Sequence, residues 1–134
     1  MKNDVKSIED ISREDIDQQY KWKLKDLYIS EDAWKNQKID LEGEIDKLSS
    51  FKGTLSNSGK RLFEALDFYS NLEKEFLRLY AYASMHSDQD TRESEPLGLK
   101  QEMTHLQTHL KSVSAFFEPE ITLILAWFMQ ICFW

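Results

Sequence analysis

The sequence is poor in residues that bend or cross-link a chain. Four glycines and two prolines in 134 residues leave few positions for tight turns, which disfavours a many-stranded sandwich and favours long helices. Cys132 is the single cysteine. An intrachain disulfide is therefore excluded, and a reducing compartment is expected. No excess of positive charge is present either: 24 acidic against 17 basic residues give a net charge of −7, which repels phosphate backbones and anionic head groups. Nucleic acid and membrane are not expected partners. The opening residues MKNDVKSIED have acids where a secretory leader needs an apolar core, so a cytoplasmic protein is expected. Glycine-rich phosphate loops and a Gly-x-Ser-x-Gly elbow are also missing.

What is present is apolar periodicity. Hydrophobic residues make up 41% and charged residues 31%, a balance suited to one globular domain with a single core. Residues 1–19 carry isoleucine at 8, 11 and 16 among polar neighbours and read as a loosely held arm. Lys21-Trp22-Lys23-Leu24, followed by Leu27 and Tyr28, fits either a short extended segment or one helical turn. Ser30 before Glu31 and Asp32 predicts a capped helix start, because the free N–H groups and dipole of a first turn favour oxygen and negative charge. Trp34, Lys38, Leu41, Ile45 and Leu48 then share one face, and Phe51-Lys52-Gly53-Thr54-Leu55 closes the helix through glycine.

Ser56 or Ser58 caps a second helix with its stripe at Leu62, Leu66, Tyr69, Phe76, Tyr80 and Ala83, widened by Leu72 and Leu79. His86 to Thr91 loses the period and predicts a connection. Pro96 sits in the first turn of a third helix, where Leu99, Met103, Leu106, Leu110, Val113 and Phe117 alternate by four and three. Three stripes with short connections predict an all-α antiparallel hairpin array over residues 20–120. Pro119 is expected to end the third helix and, with Glu120 behind it, to be able to start a fourth element, from which the chain runs ITLILAWFMQICFW through residues 121–134.

Few constellations carry chemistry. His105 and His109 have the spacing at which two imidazoles on one helical face share zinc. A zincin needs glutamate directly after the first histidine, where Leu106 stands, so both are expected to face solvent. Asp88 and Asp90 resemble the start of a calcium loop, but Arg92 and Glu93 occupy the positions of its third ligand and its glycine. Cys132 lies in an apolar run that suppresses thiolate formation, and is expected to be inert. Tyr69, Phe76, Tyr80 and Tyr82 form an aromatic row that lines either the core or a peptide groove; at helical spacing core is expected. No residue is assigned a catalytic, cofactor-binding or metal-binding role.

Taken together, several phrases resemble oligoendopeptidase F, of the thimet-type zinc metallopeptidases. They are Trp22-Lys23-Leu24 with Leu27-Tyr28, Ser30-Glu31-Asp32-Ala33-Trp34, Phe51-Lys52-Gly53-Thr54-Leu55, Leu79-Tyr80-Ala81-Tyr82-Ala83, Asp88-Gln89-Asp90-Thr91 and Phe117-Glu118-Pro119-Glu120. Their order and spacing, rather than any one phrase, carry the resemblance across residues 20–121 to the amino-terminal part of that family. It implies a mostly helical cytoplasmic enzyme that hydrolyses short peptides in a deep channel, with the amino-terminal helices forming wall and lid. Zinc there is bound by a His-Glu-x-x-His helix and a later glutamate, none of which has a matching position here. The expectation is an inactive fragment of a zinc peptidase, with no cofactor of its own. The resemblance stops near Ile121, as a shifted reading frame or truncation would make it; a buried helix and a membrane anchor are the successive alternatives. The apolar ending is expected to promote self-association. A small helical interaction module is the competing function.

Overall fold

A computed structural model of the chain describes residues 15–89 and 94–132. The described residues form helices and 3-10 turns, with no strand among them, which agrees with the all-α expectation. The four α-helices are α1 (Glu31–Ile45), α2 (Gly59–Gln89), α3 (Ser94–Ser114) and α4 (Phe117–Cys132). The open choice for Lys21 to Tyr28 resolves as a mixture: Lys21 is extended, Leu24–Asp26 forms one 3-10 turn, and a further 3-10 turn, Gln18–Tyr20, precedes the segment. Ile8 and Ile11 of the expected arm, the Thr91 end of the expected connection, and Asp90, Arg92 and Glu93 lie outside the described residues.

The start of α1 follows from Ser30, whose Oγ accepts the Ala33 N–H at 3.2 Å while Glu31 and Asp32 occupy the first turn. Its predicted face is the buried one: Trp34, Leu41, Ile45 and Leu48 are all in the core. Beyond Ile45 the helix tightens into 3-10 turns through Phe51, and Gly53 reverses the chain at φ +75°, a conformation that costs a side chain roughly 1 kcal/mol or more. The Ser58 Oγ then accepts the Arg61 N–H at 3.1 Å and caps α2.

Cross-helix pairs fix the directions. Trp34 at the start of α1 donates its indole N–H to the Leu79 carbonyl at 2.9 Å, whereas Phe51, just after α1, packs at a tilt against Phe68 with ring centroids 5.8 Å apart, so α1 and α2 are antiparallel. Asp88 pairs with Lys100 at 3.6 Å and Tyr69 lies on Phe117 at 5.2 Å, so α2 and α3 are antiparallel as well. Consequently α1 and α3 run the same way, and Lys38–Glu102 (2.9 Å) and Asp46–His109 (3.0 Å) bridge them in register. The core sits where the three helices meet, built on fully buried Trp34, Ile45, Leu48, Leu55, Leu79 and Met103.

Three expectations shift. The connection after α2 begins later, because α2 continues through His86 to Gln89 and buries Ser87. The α2 stripe is rotated: Ala65, Leu72, Phe76, Leu79, Tyr82 and Ala83 are buried, while Leu66 and Tyr80 lie at the edge, 39% and 37% exposed. Small Ala65 lets α2 approach its neighbours closely, and a reading weighted toward bulky residues passes over it. Finally, α3 ends at Ser114, earlier than expected, while Pro119 serves as a helix opener, in the first turn of α4, where its missing N–H is harmless.

Helix α4 is helical but not buried. Leu123, Leu125, Trp127, Phe128, Met129 and Ile131 are each more than half exposed. By length and composition alone, the stretch Ser94–Ile131, taken across the turn at Ala115, is apolar enough to cross a membrane, which the sequence run from Ile121 by itself is too short to do.

Candidate interaction surface

Two arginines that carry no periodic signal hold the irregular segments to α2. Arg61 donates through Nε to Thr54 Oγ1 (3.0 Å) and through Nη2 to the Ser50 carbonyl (2.9 Å), and its guanidinium lies 4.1 Å from the Phe51 ring centre. Arg78 donates to the Leu27 carbonyl at 2.9 Å and covers the Tyr28 ring at 5.0 Å. A planar cation that stacks and donates in several directions suits both places. The Glu120 carboxylate provides a third tie, accepting the Gly53 N–H at 2.6 Å and the Leu55 N–H at 3.4 Å, and so fixes the first turn of α4 against the loop.

These ties shape a groove of about 650 Å³ between that loop, the start of α2 and α4. Leu55, Leu62, Leu123, Ile124, Trp127 and Phe128 supply apolar walls, and Gly53, Ser56, Ser58 and Gly59 keep its floor low. Glu120 marks one end, with its carboxylate oxygens engaged by the loop amides. The volume falls within the roughly 300–1,000 Å³ typical of binding clefts.

The aromatic row divides between core and margin. Phe76 and Tyr82 are buried, Tyr82 stacking on Trp34 at 6.2 Å and meeting Tyr28 edge-on at 5.5 Å. Half-buried Tyr69 donates to Glu73 at 2.8 Å, and Tyr80 stacks on Phe76 at 6.1 Å. Burial raises the Tyr28, Tyr82 and Tyr69 pKa values above the ordinary phenol value; Arg78 works against this at Tyr28, and the Glu73 hydrogen bond adds to it at Tyr69. At Lys38 burial alone would lower the pKa, but Glu102 and Glu42 reverse that and hold it above the ordinary ammonium value.

The two histidines of the His-x-x-x-His spacing have different surroundings. His105 is exposed, whereas half-buried His109 gives its Nε2 to Asp46 at 3.0 Å and is not simply solvent-facing. Asp88 pairs with Lys100 in a helix-to-helix bridge. Cys132 ends α4. Among the described residues, no three His, Cys, Asp or Glu side chains converge as a group able to hold a metal.

Neither a protein-family model nor a solved structure matches the chain. It is similar to oligopeptidase PepF of Bacillus subtilis, with 36% identity over 109 residues that cover 81% of this chain and 16% of that protein. Group B oligopeptidase PepB of Streptococcus agalactiae is 28% identical over 110 residues, covering 82% of this chain and 18% of its own. The plasmid-encoded oligoendopeptidase F of Lactococcus lactis subsp. cremoris is also 28% identical over 110 residues, 81% of this chain and 18% of that protein. The chain thus spans less than a fifth of the length of these curated relatives.

Proposed function

We propose that this chain, an oligoendopeptidase F-type segment by its sequence relationship, is the non-catalytic helical part of a zinc-dependent peptidase that hydrolyses short peptides in the cytoplasm. The observation that carries this reading is a match extending over four-fifths of the chain to proteins named as oligopeptidases. The reaction would be metal-assisted hydrolysis, in which zinc activates water beside a glutamate base. His105 and His109 do not fit the zinc: they stand apart in environment, no third ligand joins them among the described residues, and Asp46 already engages His109. The helices here would form a wall beside the peptide channel, their arginine and glutamate ties keeping the loops in place.

The purified chain with added zinc is expected to leave a fluorogenic oligopeptide uncut. Chelator-sensitive turnover would overturn the reading. The nucleotide sequence following the Trp134 codon supplies a second check: a His-Glu-x-x-His run in any frame supports a peptidase parent, and none over the length its relatives span favours the alternative. That alternative is a helical interaction module, supported by Phe63, Leu66, Leu77 and Tyr80, which leave apolar surface uncovered along α2.

A further inference from the structure

Helix α4 combines three features that bear on one another. Its exposed side chains Leu123, Leu125, Trp127, Phe128, Met129 and Ile131 are bulky and more than half accessible. They do not all share one face: at about 100° per residue Leu123, Trp127, Phe128 and Ile131 lie on the side that walls the groove, while Leu125 and Met129 face away. The groove side therefore offers on the order of 500 Å² of apolar surface per copy, or about 1,000 Å² for a pair, the lower bound of a specific interface. No charged residue occurs from Ile121 to Trp134, so two copies can meet there without like charges opposing, although the whole chain carries −7. Beside this ridge, on the same patch, lies the open apolar groove of about 650 Å³.

We propose that α4 is the dimerisation element of this chain: each copy lays the apolar ridge of α4 against that of its partner and seats bulky side chains in the partner's groove. Ridge and groove share one patch, so a two-fold axis satisfies both at once and the assembly stops at two. A membrane is a poorer occupant. To cross one, the segment would draw buried Phe116 and Phe117 out of the core and break the Glu120 bonds to Gly53 and Leu55. The net negative charge would also oppose approach to anionic lipid. This inference is independent of peptidase ancestry, since it concerns only surface this chain presents.

Sedimentation velocity on the full chain across micromolar concentrations is expected to show a concentration-dependent monomer–dimer equilibrium. Trp127→Glu, and separately Leu123→Lys, should weaken it by at least roughly tenfold while far-UV circular dichroism is unchanged, because both residues are solvent-exposed and border the groove. Leu77→Glu, an equally exposed change on α2, should leave the dimer intact. Four results overturn the proposal: a monomer at every concentration; association that ignores both α4 variants; open-ended oligomers; or a monomer that floats with phosphatidylcholine–phosphatidylglycerol vesicles. A monomer that binds an apolar dye in the groove, with no dimer to displace it, counts against the proposal in the same way.

Discussion

Trp34 shows what one side chain contributes here. It is fully buried, stacks on Tyr82 and gives its N–H to the Leu79 carbonyl, so it supplies both volume and a polar link. Trp34→Ala is expected to cost about 3–5 kcal/mol, while Trp34→Phe keeps part of the volume and should cost less; urea unfolding at fixed protein concentration measures both. The titrating residues give an alkaline prediction. Tyr28, Tyr69, Tyr82 and Lys38 all hold their protons more tightly when folded. Folding therefore keeps protons that the unfolded chain sheds, and the associated stability, complete below the unfolded phenol value near pH 10, declines as pH rises beyond it. Urea midpoints should be level through neutral pH and drop above about pH 10, with a shallower drop in Tyr82→Phe.

Between residue and molecule, most elements were legible in the sequence. Ser30, Ser58 and Gly53 mark boundaries because caps and a left-handed turn need those residue types, and the structure uses them so. The α3 stripe was clear because its apolar residues alternate cleanly. On α2 the pattern misled: aromatic and leucine side chains surround most of the helix, so bulk alone pointed to Leu66 and Tyr80 and passed over Ala65. The groove was not legible at all, because Glu120 acts through loop backbone groups more than sixty positions away in the chain. Gly53→Ala tests the turn: a new Cβ meets nothing within 4 Å, so its expected cost of about 1 kcal/mol is the price of the positive φ alone. Glu120→Ala tests the tie and should speed hydrogen exchange at the Gly53 and Leu55 amides with little change at Trp34.

At the scale of the whole molecule, the α1–α3 core is well covered while α4 stands out from it, as an element whose cover comes from another surface does. The sequence run ITLILAWFMQICFW announced an apolar ending, but composition alone did not say whether it would turn inward. The structure makes it a largely exposed helix anchored at its first turns through Phe117, Glu120, Ile121 and Ile124. Removing residues 125–134 should therefore leave the three-helix core folded and reduce association, with thermal midpoint and sedimentation as the measurements.

The three described indole rings are distributed so that the molecule carries its own optical reporters. Trp34 is sealed in the interior, whereas Trp127 is 60% and Trp22 is 50% exposed. Emission should therefore separate into a blue component shielded from acrylamide and a red component open to it. If subunits pair through α4, dilution should make Trp127 more quenchable and leave Trp34 dark to the quencher.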